Sequence, residues 1–187
     1  VITVWCAVDG TLIALAWRAW RRGVRPAFPR LSGTVPALIA ATLAGLLGLS
    51  LLTALSAPPN TPDALGYHLP RQLMWLQQGG VQHFVTHDDR ALMMPPLAEI
   101  LQVHAMLLSG GDVWANLPQW IAYALGCVVA SLLARELGAG PRAQGLAAQV
   151  FATLPMAYLE ASSAKNDLLV AVWLGCFAWL ALRLAGA

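Results

Sequence analysis

The chain has 187 residues, 58% of them hydrophobic and only 11% charged, with a mean hydropathy of +0.63. A water-facing exterior needs about a quarter of its residues charged, so composition excludes an ordinary soluble domain and predicts an all-α, polytopic transmembrane helix bundle. The formal net charge of +2 excludes little as a sum; the positions of the charges along the chain are the informative part.

The first apolar run, Val1 to about Trp17, contains Asp9, an intramembrane carboxylate that calls for a functional explanation. It opens without an initiator methionine or a basic leader, so a piece of a longer protein is expected rather than a signal peptide. Arg18, Arg21, Arg22, Arg25 and Arg30 follow. Arginines at this density beside a span mark the cytoplasmic side, and a basic link of this kind predicts no nucleic-acid partner. The second span is Val35 to Leu55, uncharged and long enough as a helix to cross a hydrocarbon core of roughly 30 Å. Cys6, Cys127 and Cys176 fall in apolar runs without metal-ligand spacing and read as packing residues.

An outer loop then runs from Ser56 to Asp112. Thr61-Pro62-Asp63 has the form of a helix start, with Thr61 as N-cap and Pro62 at the first helical position. Leu65, Leu69, Leu73 and Leu76 recur at helical spacing until Gly79-Gly80 stops the helix. Pro70 must disturb it, by removing an amide donor and crowding the carbonyl of Gly66. A second amphipathic stretch follows Pro95-Pro96, with Leu97, Ile100, Leu101, His104 and Leu108 on one face and Gly110-Gly111 at its end. Two such helices are expected to lie along the membrane interface.

Three more spans are predicted: Val113 to Ala134, Ala143 to Leu159 with Pro155 near its end, and Leu168 to Ala185. Alternation from the arginine cluster puts the loop 56–112 and the segment Glu160 to Asp167 outside. Arg135, Arg142 and Arg183, which were not used to set the topology, then fall inside. Every acidic residue except Asp9 and Glu136 falls outside.

Chemistry is therefore sought on the outer face. Asp63, Tyr67 and Arg71 are spaced i, i+4, i+8 and share one helical face, subject to the bend at Pro70. Capping by Asp63 and lipid-phosphate pairing by Arg71 explain that face equally well. Lys165, Asn166 and Asp167 supply a second polar site on the same side, also open to a capping explanation. Two polar sites at one face of a chain starved of charge fit a shared cleft better than two coincidental caps. His83, His87, Asp88 and Asp89 carry a His-x-x-x-His spacing, but nothing predicts a helix there. Glu99, His68 and His104 are weaker candidates.

The run Pro59-Asn60-Thr61-Pro62-Asp63-Ala64-Leu65-Gly66-Tyr67-His68-Leu69-Pro70-Arg71, with Met94-Pro95-Pro96-Leu97-Ala98-Glu99 and Lys165-Asn166-Asp167, resembles the membrane glycosyltransferases of the GT-C superfamily. The similarity is to the bacterial multi-span proteins grouped with the protein mannosyltransferase and lipid A aminoarabinose transferase relatives. It implies transfer of a sugar from a polyprenyl-phosphate donor to a glycan, lipid or protein acceptor, at the periplasmic face of a bacterial inner membrane. Asp63 matches the family's acceptor-side aspartate and Asp167 its second acidic position. On this reading Asp63 is the base, Tyr67 and His68 position sugar or acceptor, and Arg71 or Lys165, beside Asn166, holds the phosphate. A divalent cation shared by Asp63 and Asp167 is an alternative on which relatives differ, so no metal is assigned. The span before Arg18 departs from the simplest family layout, and the later spans are expected beyond Ala187. Competing classes are a transporter, which needs broken helices and midplane polar groups, and a non-enzymatic membrane assembly protein.

Overall fold

A computed structural model describes residues 33–185 together with Ala14 and Arg18, both helical. Apart from Ala14 and Arg18, the first expected span with its Asp9 and the arginine cluster lie outside the described residues. The chain divides into two compact units, Val1–Arg30 and Leu31–Ala187.

Among the described residues of the second unit the structure is helical, without strands: α1 (Thr34–Ser56), a π-turn (Ala64–His68) leading into α2 (Leu69–Gln78), α3 (Arg90–Met93), α4 (Leu97–Ser109), α5 (Leu117–Glu136), α6 (Pro141–Thr153), α7 (Pro155–Glu160) and α8 (Asp167–Ala185). Three of these, α1, α5 and α8, are long and apolar enough to cross a membrane. They leave Leu38, Leu52, Trp173, Phe177 and Leu184 exposed, an apolar exterior that water would not tolerate. The three helices point to a membrane protein. Within α1, the hydroxyls of Thr42, Thr53 and Ser56 each donate to the carbonyl four residues back, which satisfies them where water is absent.

The fourth expected span, Ala143 to Leu159, is not one helix. Pro155 has no amide hydrogen and forces the preceding residue into extended backbone. Leu154 accordingly sits at φ −60°, ψ 121°, between α6 and α7. At 13 residues, α6 is roughly 20 Å long. The break frees carbonyls in its last turn, and the Tyr123 hydroxyl donates to that of Ala152 at 2.6 Å.

Small side chains hold the bundle together. Ala122, Tyr123, Cys127, Ala148, Ala152, Ala157, Ala161 and Leu168 form its core. Gly126 lies against the ring of Phe151 and Gly175 against Val129, each too close to admit a Cβ. Cross-links show the helix directions. Trp120 Nε1 donates to Leu47 O and Ser50 Oγ, and Asn116 Nδ2 donates to Ala54 O and Ala57 O, so α5 starts where α1 ends. The Leu169 amide donates to Gln119 Oε1 and Trp179 Nε1 to Glu136 Oε1, so α8 runs parallel to α5. The end of α1 and the starts of α5 and α8 therefore share one end of the bundle.

Candidate functional site

The segment between α1 and α5 gathers at that end. Thr61 caps the helix start as the sequence predicts: its hydroxyl accepts the Ala64 amide at 3.4 Å and exchanges a 3.0 Å hydrogen bond with Ser163. Pro70 then leaves its mark one turn upstream. The backbone widens into the π-turn, and the Leu69 amide reaches back five residues to Ala64 O. Helix α2 closes at Gly79, whose φ of 66° suits glycine, with the Gly80 amide on Trp75 O.

Residues expected on one helical face are divided between the surface and the interior. Asp63 stays at the surface, whereas His68, Arg71 and Gln72 point into a seam between α2 and α4 and are almost completely buried. There Glu99 Oε1 accepts from Arg71 Nη1 at 2.9 Å and bonds His68 Nδ1 at 3.0 Å. Arg71 also donates to the carbonyls of Ala91 and, at 2.8 Å, Arg90. Gln72 donates its amide to Gln102 Oε1, and Gln102 Nε2 donates to Lys165 O at 2.7 Å. His68 and Arg71, expected to touch substrate, are occupied inside the fold. Burial, not exposure, is also the state of Glu99, so the face of α4 that packs is the polar one, and Leu97, Leu101 and Leu108 face outward.

The open site forms above the seam. Lys165, whose side chain is 14% exposed, points its ammonium at Glu160 Oε1 (2.9 Å), Asp167 Oδ2 (3.2 Å) and Asp63 Oδ2 (3.7 Å). Asp63 and Asp167 remain accessible, at 46% and 55%. On the other side of Asp63, Arg90 Nη1 lies 3.3 Å from Oδ1, with its guanidinium over the Tyr67 ring at 4.7 Å. Arg90 is anchored more closely by Asp88, at 2.8 Å. The structure thus brings Asp63, Tyr67, Lys165 and Asp167 together, with Asn166 in the connecting backbone.

The electrostatics follow from these contacts. Burial lowers the Lys165 pKa, but hydrogen bonds to Glu160 and Asp167 outweigh it and leave it above the usual lysine range. Burial, then the carboxylates of Asp63, Asp167 and Glu99, raise the Tyr67 phenol above its usual value, so it remains a neutral donor. The Arg90 hydrogen bond holds the Asp88 carboxyl below its usual range.

Sequence reasoning missed Arg90 and Glu160. Arg90 follows two aspartates and reads locally as a solvated turn; Glu160 lies five residues before Lys165, outside the helical i, i+4 pairing, and meets it only across the turn at 161–166. His83 and His87 lie in non-helical backbone. Among the described residues no group of His, Cys, Asp and Glu is arranged to hold a metal ion. Compared with known proteins, the chain matches no family model, no curated protein and no solved structure.

Proposed function

We propose that this chain carries the catalytic face of a membrane glycosyltransferase that moves a sugar from a polyprenyl-phosphate donor to an acceptor at the outer side of a bacterial inner membrane. The observation that carries the reading is the placement of Asp63. It is an accessible carboxylate flanked by Arg90 at 3.3 Å and Lys165 at 3.7 Å, and both cations have shorter partners of their own in Asp88 and Glu160. Asp63 is thus accessible and only a more distant partner of each cation, which supports its reading as the base, and two cations beside it support a phosphate-binding role for them.

In the step this geometry supports, Asp63 accepts the proton of an acceptor hydroxyl as its oxygen bonds to the anomeric carbon. The bond from that carbon to the phosphate oxygen breaks, and the polyprenyl phosphate departs with its charge against Arg90 and Lys165. Direct displacement inverts the anomeric centre. Tyr67 orients Arg90 and offers its neutral hydroxyl; Asp167 and Glu160 hold Lys165 in place. Because a lipid phosphate leaves readily, no second acid is required. The outward leucines of α4, with Leu65 and Leu73 before and in α2, would rest on the outer leaflet, from which the donor arrives laterally.

The test is Asp63→Asn in the full-length protein, with transfer followed from a labelled polyprenyl-phosphate sugar. Transfer should fall by about 10²- to 10⁴-fold with expression unchanged. Wild-type transfer by the variant removes Asp63 as the base.

A further inference from the structure

We propose that the buried polar seam between α2 and α4 positions the phosphate-binding cations, holding Arg90 and Lys165 by their own main chain. Two side chains do the holding. Arg71 donates to Arg90 O at 2.8 Å and, through Nε, to the neighbouring Ala91 O, so two hydrogen bonds from one planar guanidinium fix that stretch of backbone. Gln102 Nε2 donates to Lys165 O at 2.7 Å. The carbonyls of Arg90 and Lys165 belong to the two residues whose side chains flank Asp63. Arg71 and Gln102 are thus positioning residues, acting on the site from beneath without reaching it.

The rest of the seam orients the two holders. Glu99 accepts Arg71 Nη1 at 2.9 Å, which neutralises the guanidinium and leaves Nε and Nη2 for the carbonyls. His68 completes the contact on the same carboxylate oxygen. Gln72 donates to the side-chain oxygen of Gln102, so the amide can turn only its nitrogen towards Lys165. A buried pair of this kind is a poor source of stability, because well-packed apolar side chains of similar volume often do as well or better. Its value here lies in direction. Apolar packing could fill the space between α2 and α4, but it could not grip a carbonyl. The seam therefore sets the distance between two cations that come from segments far apart in sequence, with no net charge contributed by the Arg71–Glu99 pair.

This inference rests on the reading that Arg90 and Lys165 hold the donor phosphate, and the experiment separates the two claims. Full-length protein in nanodiscs is titrated with a polyprenyl phosphate and with the matching polyprenol. Arg90→Met and Lys165→Met test the reading; Gln102→Leu and Arg71→Lys test the seam, changed separately so that misfolding at one position leaves the other to decide. Each Met variant should bind the phosphate about tenfold more weakly. Gln102→Leu should weaken phosphate binding about threefold or more with polyprenol binding as in wild type, and should also lower the thermal transition, because buried Gln72 and the Lys165 carbonyl lose their partner. Arg71→Lys, which keeps the charge but cannot grip both carbonyls, should weaken phosphate binding likewise. Wild-type phosphate affinity in Gln102→Leu and Arg71→Lys, alongside weakened Met variants, overturns the seam and leaves the reading standing. Equal losses for phosphate and alcohol also overturn it, since the seam is then only structural. Unchanged binding in all four variants removes the phosphate reading, and the seam's role falls with it.

Discussion

At Asp63 the distances divide the labour among neighbouring charges. Lys165 sits closer to Glu160 and Asp167 than to Asp63, and Arg90 sits closer to Asp88. Each cation is thus anchored before it meets Asp63. Glu160, absent from the sequence-based candidates, is as close to Lys165 as any residue in the site. Because the folded-state Lys165 pKa lies above its ordinary value of 10.5, the ion pairs stabilise the protein fully below that value and lose their effect as pH rises through the folded pKa. The difference in Tm between wild type and Lys165→Met should therefore be widest near neutral pH and narrow at strongly alkaline pH. A pH-independent difference in thermal unfolding would mean that Lys165 contributes through packing alone.

His68 and Arg71 show why residue-level reading from sequence stops short. Spacing i, i+4, i+8 brings Asp63, Tyr67 and Arg71 only roughly to one face, because at 3.6 residues per turn eight residues drift by about 80°. The π-turn at Ala64–His68 adds one residue, and one residue is worth about 100° of rotation. That rotation nearly cancels the drift, so it is not what buries Arg71: the guanidinium enters the seam because Glu99 and the carbonyls of Arg90 and Ala91 receive it there. Pro70 signalled a disturbance in the sequence; whether the helix would kink, break or widen depended on what the far side of the turn could pack against.

At the scale of elements, close helix approach depends on two glycines. A Cβ on Gly126 would overlap the Phe151 ring, and one on Gly175 would lie 2.6 Å from Val129 Cγ1. Phe151 is backed by Tyr123, with ring centroids 6.2 Å apart, and Val129 is stiff about χ1, so neither yields cheaply. Gly126→Ala and Gly175→Ala should each destabilise the bundle by about 1–3 kcal/mol, read as a lower Tm in detergent. Gly45→Ala and Gly48→Ala in α1 meet nothing within 4 Å and should be neutral or stabilising by up to about 1 kcal/mol through helix propensity. Equal effects at all four positions would show that close packing is not the cause. The same scale accounts for the lost fourth span. Hydropathy registers Ala143 to Leu159 as one apolar run, whereas a missing amide at Pro155 decides that it is two short helices.

For the whole molecule, the end of α1 and the starts of α5 and α8 meet at the site, so the loop 56–112 and the segment 160–167 lie at one end of the bundle. The proposed orientation puts that end outside and the arginine cluster inside. In intact cells, a membrane-impermeant thiol reagent should label Gln82→Cys and leave Arg25→Cys unlabelled, with the native cysteines replaced. The reverse pattern overturns the orientation.

The sequence by itself determined the all-helical character, α1, α5 and α8 as apolar helices of spanning length, and the helix stops at Gly79 and Gly110. These follow from local hydropathy, backbone donors and glycine conformation, which a chain carries wherever it folds. It also singled out Asp63, Lys165 and Asp167, because charge in so apolar a chain is costly and therefore conspicuous. Only the tertiary structure decided that Arg90 and Glu160 join them and that His68 and Arg71 do not. Those outcomes turn on long-range contacts: Arg90 and Lys165 reaching Asp63, and buried hydrogen bonds from Arg71 and Gln102 to carbonyls distant in the chain. No local pattern encodes them, since each depends on which segment the rest of the fold brings alongside.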